Sequence, residues 1–236
     1  MSEALELRDL VNADDLAALP EFEQRVWGSS LEVVSVNMLV ATVMEGGMAI
    51  GAFDDGRIVG AVYGFATREP TVLHSHYMAV DPAYRRRGLA VELKQQQRRW
   101  CLSHGYTSVR WTYDPLQVAN AHLNLHVLGA VGVRYHENHY GVLGGINGSL
   151  PSDRVTVSWD LVDVGRSGRS LVHDGGDVRT ATVPVLAPDA IASSAPEAHA
   201  ARVVLRDELQ PLMAAGWTLI DMDRDQRRYT LAPPRS

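Results

Sequence analysis

Residues 72–103 constrain this chain more tightly than any other stretch. An apolar run, VLHSHYMAV, is followed by Asp81-Pro82, then three consecutive arginines and Gly88, then LAVELKQQQRRWCLS. The first run predicts a strand. The last predicts an amphipathic helix from Gly88 to about His104, closed by Gly105. A glycine between strand and helix lets backbone approach a ligand closely, and the first N–H groups of a helix lack intrahelical partners at its positive end. Arg85, Arg86 and Arg87 add a local positive field. The corner has the makings of a seat for a diphosphate, although RRRG alone could equally be a solvated basic turn. Neither a GxxxxGK(S/T) loop nor a GxGxxG fingerprint is present.

That local field stands against a formal net charge of −6 over 236 residues, which argues against a nucleic-acid binder, since replacing phosphate counterions takes a broad basic face. The start, MSEALELRDL, lacks the basic and apolar regions of a signal peptide, and no apolar run approaches the roughly 20 residues that span a bilayer. A cytoplasmic protein without a membrane partner is expected. Cys101 is the only cysteine, so no intrachain disulfide can form, and its setting in RRWCLSHGY suggests a half-buried helix thiol rather than a nucleophile.

Around the corner the chain reads as an α+β fold. ALELRDL predicts a strand, LPEFEQRVW a helix with Pro20 at its first position and Gly28 as its stop, and VNMLVATVMEG a second helix capped by Ser35. MAIGAF and RIVGAVYGFAT flank Asp-Asp-Gly, a strong hairpin signal. TSVRWTY predicts a strand, QVANAHLNLHVLG a helix, and AVGVRYHE and RVTVSWDLV the last strands of a unit ordered β-α-α-β-β-β-α-β-α-β-β. The expected organisation is a domain over 1–164, a loop or linker over 165–177, and a C-terminal α/β extension over 178–236 with a long helix from about Pro196 to Ala215. The extension could cover an acceptor pocket, complete a sheet, or pair subunits as a homodimer.

MAVDPAYRRRGLAVELK resembles the acetyl-CoA-binding motif of the GNAT acetyltransferase superfamily, Arg/Gln-x-x-Gly-x-Gly/Ala, matched by Arg85, Gly88 and Ala90; the element order from residue 4 to about 162 is similar to that fold. The resemblance implies an α/β/α sandwich about a mixed, mainly antiparallel sheet. It implies acetyl-CoA or another acyl-CoA as co-substrate, with Arg86, Arg87, Gly88, Leu89 and Ala90 lining the pyrophosphate and Met78, Ala79 and Val80 running along the pantetheine. LHSHYMAV, WTYDPLQVANAHLNLHVLGA, YHENHYG and LPSDRVTVSWDL are similar to one branch of the superfamily. Some of its members occur beside N-acylamino-acid racemases and are assigned as amino-acid N-succinyltransferases. An acetyl or succinyl group and a small-molecule amine acceptor, an amino acid among the candidates, are the corresponding expectations.

Acyl transfer to an amine needs a neutral nitrogen, a stabilised oxyanion and a proton for the departing thiolate. With period-two alternation, His74, His76, Met78 and Val80 share one strand face. Relatives carry a carboxylate base six residues before the position of Val80, so His74 is the first candidate base and His76 the second, against the alternative that both rings only hydrogen-bond neighbours. A backbone N–H near Met78 is the expected oxyanion donor. The tyrosine that many relatives use as acid aligns with Leu125, leaving Tyr135, Tyr140 or solvent for that step. Asn120 is expected to touch the cofactor, with Asn124 one turn on along the same face.

His74-x-His76 and His122-xxx-His126 have metal-compatible spacing, but without an HExxH glutamate or paired cysteines no metal is expected. The alternatives to an enzyme acting on a small amine are a non-catalytic acyl-CoA-binding or regulatory module, consistent with Leu125, and a protein-modifying enzyme.

Overall fold

The Asp54-Asp55-Gly56 turn fixes the first hairpin. Asp55 and Gly56 take φ of 47° and 74°, the two left-handed residues that a two-residue hairpin loop needs, and Asp54 faces Arg57 across it. The computed structural model describes residues 5–28, 33–143, 150–163, 177–187 and 189–234. The chain divides into two units, Met1–Val109 and Arg110–Ser236.

In the first unit, β1 (Glu6–Asp9), β2 (Met48–Asp54), β3 (Arg57–Ala66) and β4 (Val72–Val80) form an antiparallel series in that order. Helices α1 (Ala13–Leu16), α2 (Ala18–Trp27) and α3 (Val36–Met44) follow β1, and α4 (Leu89–Ser103) follows β4. Helix α1 is an addition to the elements expected. The Asn12 side chain caps it by accepting from the Asp15 N–H at 2.9 Å, so helical structure begins well before Pro20, which lies inside α2. Ser35 caps α3 through the Met38 N–H.

Leu16, Leu19, Phe22, Val26 and Leu39 pack with Ala61, Tyr63 and Ala79, each large side chain contributing roughly 2 kcal/mol by leaving water. Helix α4 packs on the other face, where Leu89 and Leu93 lie over Gly60, because neighbouring residues of a strand point to opposite sides. Beneath that helix lies a buried polar node. Lys94 Nζ donates to Ser75 Oγ and to Gln97 Oε1, both at 3.0 Å, and Gln97 Nε2 donates to Ser75 Oγ at 3.2 Å.

β5 (Ser108–Tyr113) carries the chain into the second unit. There α5 (Val118–Ala121) runs into a wide π turn, His122–Val127, in which the Leu128 N–H reaches back to the Leu123 carbonyl at 2.9 Å. The remaining elements are β6 (Val131–His136), β7 (Arg154–Asp160), β8 (Arg179–Thr182), α6 (Pro196–Ala214), β9 (Thr218–Asp223) and β10 (Arg228–Ala232). The strands lie in the order β7-β6-β9-β10-β8, with Leu219 of β9 opposite Gly132 of β6. Residues beyond 178 therefore continue the sheet that β6 and β7 begin. The expected linker, 165–177, lies outside the described residues apart from Asp177. Among the described residues no helix is long and apolar enough to cross a membrane.

Two buried carboxylates fasten α6 in this unit. Arg202 grips Asp114 fork to fork, at 3.1 and 2.8 Å. Arg206 donates to both oxygens of Asp153, at 2.8 and 3.0 Å, which also accept from the Tyr135 hydroxyl at 2.6 Å and the Asn138 N–H at 3.0 Å. Burial works to raise the Asp153 pKa, but the bonds from Arg206, Tyr135 and Asn138 outweigh it and hold the group below the usual carboxylate range.

Burial pulls Lys94 down to about 7, whereas an unfolded lysine titrates near 10.4. Between these values the unfolded chain binds the extra proton, so stability rises with pH above about 7. The rise ends as the unfolded chain begins to lose the Cys101 proton near 8.5, since burial pushes the folded thiol up to about 12. Urea unfolding should therefore show a gain of roughly 1–2 kcal/mol from pH 7 to 8.5, and Lys94→Met should abolish that gain.

Candidate active site

The corner between β4 and α4 is built on its backbone. The Asp81 side chain accepts from the Ala83 N–H at 3.0 Å, capping a single 3-10 turn over Pro82–Tyr84, and is itself held by Arg57 at 3.4 Å and Arg25 at 3.7 Å. Arg86 then takes φ of 62° and Gly88 φ of 86° with ψ of −11°. Two left-handed residues flanking Arg87 turn successive N–H groups toward one side, the concave arrangement that receives anions. It opens onto the start of α4, where the Leu89 and Ala90 N–H groups precede any intrahelical acceptor. The Val91 N–H already bonds the Gly88 carbonyl at 2.9 Å.

The three arginines of the corner are exposed but do different things. Arg85 Nε donates to the Val80 carbonyl at 3.2 Å, so Arg85 turns back on the strand and Val80 offers that oxygen to Arg85 as well as to any ligand. Arg87 lies over the Tyr84 ring, 5.4 Å from its centroid, and the Tyr84 hydroxyl donates to Asp54. Leu89, 2% exposed, anchors the helix start.

The expected face of β4 is corrected by its pairing. Tyr63 of β3 faces Tyr77, and the next residue, Gly64, faces Ser75. His76 is thus an extra residue, a β-bulge that shifts the alternation by one. Met78 and Val80 lie opposite Val62 and Gly60, whereas His74 lies opposite Phe65, on the face that Tyr63 and Ala79 present to α1–α3. His74 therefore does not share a face with Met78 and Val80. The His74 ring sits 4.9 Å from Phe65, and His76 lies 5.8 Å from Tyr63 and 5.7 Å from Phe65. Packing of its ring against these aromatics lowers the His76 pKa through burial, although the residue as a whole is exposed. Ala79, 3% exposed, has only backbone to offer a ligand.

One group near this strand is absent from the candidates drawn from sequence. Glu23 of α2 is 3% exposed, and burial pushes its carboxyl up to about 7, with Tyr77 and the Val34 backbone pulling partly back. Neither Glu23 Oε1 nor Tyr77 Oη completes a hydrogen bond. Trp27 closes over Tyr77 edge-on at 5.4 Å. The sequence does carry a signal for it: Leu19, Phe22, Glu23 and Val26 follow the i, i+3, i+4, i+7 spacing of a buried helix stripe, with a carboxyl at one of its positions.

The remaining candidates belong to the second unit. Tyr135 is 8% exposed and donates its proton to Asp153. Burial and that bond push its pKa far above the ordinary phenol value, so its hydroxyl is committed to the ion network rather than poised as a donor. Tyr140 is half exposed, and its hydroxyl shares a 3.1 Å hydrogen bond with Thr112. Asn120 is exposed while Asn124 is buried. The π turn inserts a residue and rotates the side chains beyond it, so the two do not share a face as expected. Leu125 is fully buried. Among the described residues no cluster of three or more His, Cys, Asp or Glu could hold a metal.

The sequence model of the acetyltransferase (GNAT) family matches residues 14–130. Solved structures share the fold at low identity. The ribosomal-protein-S18-alanine N-acetyltransferase of Escherichia coli is 17% identical with a TM-score of 0.55, covering 67% of this chain and 94% of its own. A putative acetyltransferase of Salmonella typhimurium, solved with acetyl-CoA, is 16% identical with a TM-score of 0.55, covering 68% and 96%. Ard1 from Thermoplasma volcanium is 19% identical with a TM-score of 0.52, covering 68% and 99%. No curated protein matches the sequence. The mixed, mainly antiparallel α+β arrangement expected from the sequence is the fold of this family.

A Cβ added at Gly88 would meet nothing within 4 Å, so the need for glycine there is conformational rather than spatial. Gly88→Ala should lower stability by about 1 kcal/mol, read as a lower urea midpoint.

Proposed function

Because the chain belongs, over residues 14–130, to the acetyltransferase (GNAT) family, we propose that it moves an acetyl or succinyl group from coenzyme A to the primary amine of a small molecule, an amino acid among the candidates. Transfer is by direct attack within a ternary complex in the cytoplasm. The observation that carries this reading is the corner at Arg86–Gly88, whose left-handed residues aim backbone N–H groups at the head of α4. Those groups, with Arg86 and Arg87, suit the pyrophosphate of coenzyme A. The co-substrate supplies an acyl group activated as a thioester, and the chain's residues do the rest.

An α-amino group with a reference pKa of ~7.8 is neutral in about one molecule in ten at pH 7, against fewer than one in a thousand for a lysine side chain at ~10.4. A small α-amine therefore asks little of the base. His76, whose pKa its aromatic surroundings lower, can accept the amine proton on the α1–α3 side of β4, where Glu23 stands as a second proton acceptor. The β4 bulge leaves ladder groups unpaired, and a backbone N–H near Met78 can meet the oxyanion, a contact worth ~3 kcal/mol. Solvent returns a proton to the thiolate, whose parent pKa near 8.5 makes it a tolerable leaving group.

A second reading is an acyl-CoA-binding module without turnover. It is favoured by the buried leucine at 125 and by the commitment of Tyr135 to Asp153. Free thiol measured with acetyl-CoA or succinyl-CoA and a panel of amino acids separates the two: amine-dependent release is expected, and thermal stabilisation by CoA without release would overturn the enzyme.

His76→Ala should lower kcat by about a hundredfold at unchanged CoA affinity, while Gly88→Val should weaken CoA binding and spare kcat. The lowered His76 pKa places the acidic limb of kcat/KM below pH 6.5. From pH 7 down to 6.5, kcat/KM should fall only with the neutral fraction of the amine, in more acid conditions protonation of His76 should steepen that fall, and His76→Ala should remove the added steepness in an initial-rate pH profile.

A further inference from the structure

Within the first unit, the bulge at His76 is held from two sides. On β3, Gly64 faces Ser75 and leaves no room for a side chain: a Cβ there would lie 2.7 Å from the His74 carbonyl oxygen and 3.4 Å from the Ser75 Cα. On the α4 side the Ser75 hydroxyl accepts from Lys94 Nζ at 3.0 Å and from Gln97 Nε2 at 3.2 Å, and Lys94 Nζ donates to Gln97 Oε1 at 3.0 Å. All three residues are buried. Gln97 Nε2 also reaches the Met48 sulfur of β2 at 3.6 Å.

These bonds require the bulge. Tyr77 and Ala79 pack with Tyr63 on the α1–α3 side, so unbroken alternation along β4 would send Ser75 to that side as well. The extra residue turns Ser75 toward α4 instead. Were the bulge to slip, Lys94 and Gln97 would lose their shared acceptor in a setting where a buried polar group left unpaired is costly. The node therefore favours the bulged strand over the regular one. Lys94 has hydrogens for both of its bonds as ammonium or as neutral amine, so the node persists through titration of that group. The residue whose place it sets is His76, with its ring 5.8 Å from Tyr63 of β3 and, on its own strand, 6.3 Å from His74 and 6.1 Å from Tyr77.

We propose that Ser75, Lys94 and Gln97 are positioning residues, which hold the β4 bulge from the α4 side and thereby set the His76 ring and the Met78 N–H where acyl transfer uses them. The roles of those two groups rest on the acyl-transfer reading above; the hold on the bulge does not. Leu89 and Leu93 seat α4 over Gly60 without help from the node, so its loss should disturb His76 and spare the corner at Gly88.

The test uses the full chain. With 13C-labelled histidine rings, the His76 signal, identified by its loss from His76→Ala, is followed by NMR over pH with no substrate present. Ser75→Ala should move its chemical shift and bring its titration up toward the ordinary histidine value as the ring leaves its aromatic setting, whereas Ser75→Thr, which keeps the hydroxyl, should titrate as the wild type does. Lower global stability by itself would not move a native-state titration. A His76 signal unchanged in Ser75→Ala overturns the proposal. Initial rates with acetyl-CoA and succinyl-CoA on a panel of amino acids give the second readout. Ser75→Ala should lower kcat by about 10- to 100-fold at unchanged CoA affinity. The apolar triple variant Ser75→Ala/Lys94→Met/Gln97→Leu should keep that loss while its urea midpoint recovers, because no polar group of the node is left unpaired. A normal kcat in Ser75→Ala, or a triple variant that regains both stability and kcat, makes the node structural and overturns the proposal. Absence of turnover by the wild-type chain counts against the acyl-transfer reading instead, and leaves the His76 signal to decide the hold on the bulge. If Ser75→Ala does not fold, Gln97→Leu, which removes one of the two donors to Ser75, and the triple variant carry both measurements.

Discussion

One extra residue in β4 decides what the first unit can do. Without His76 as a bulge, period-two alternation would carry one set of side chains along the whole strand, and both histidines would project with Met78 and Val80. With it, Ser75 falls on the α4 side, where Lys94 and Gln97 bind it, while His74 falls among the aromatics facing α1–α3. The bulge thus separates a polar node that anchors a helix from the rings proposed to handle a proton. It also interrupts the ladder between β3 and β4 beside the backbone groups proposed to take part in chemistry, and bulges tend to lie beside active sites.

Much of this is legible in the sequence. The Asp55-Gly56 turn, the Ser35 cap, the strand before Asp81 and the helix after Gly88 each arise from local chemistry that tertiary packing does not override, and the family motif falls on the corner whose backbone suits it. The illegible parts share a cause. The bulge at His76 and the π turn at His122–Val127 each add one residue to a regular element, and no composition signal marks an insertion of one. Every face deduced by counting across either of them is shifted: His74 against Met78, Asn124 against Asn120. Glu23 is a different kind of miss, since its helix spacing places it in the core and only the assumption that carboxylates face water conceals it. The Asn12 cap, a local signal, competes with Pro20 for the helix start and wins.

The second unit solves its electrostatics by pairing across long sequence separations. Asp114 and Asp153 come from the segments before α5 and at the head of β7, and their cations come from α6. Such buried pairs add little net stability over apolar packing but are costly to break, because the survivor is left charged in a poor solvent. Tyr229 extends the same tie, its hydroxyl donating to the Pro115 carbonyl at 2.8 Å.

The Asp114–Arg202 grip has an evolutionary corollary. A shorter chain of this fold, ending before α6, would leave Asp114 only the 3.7 Å contact with Arg154 in place of its fork partner, so loss of the tail would favour neutralisation of position 114. Conversely, an ancestor with an uncharged side chain there could have acquired α6 gradually, and only the arrival of the aspartate would have locked the appendage in place.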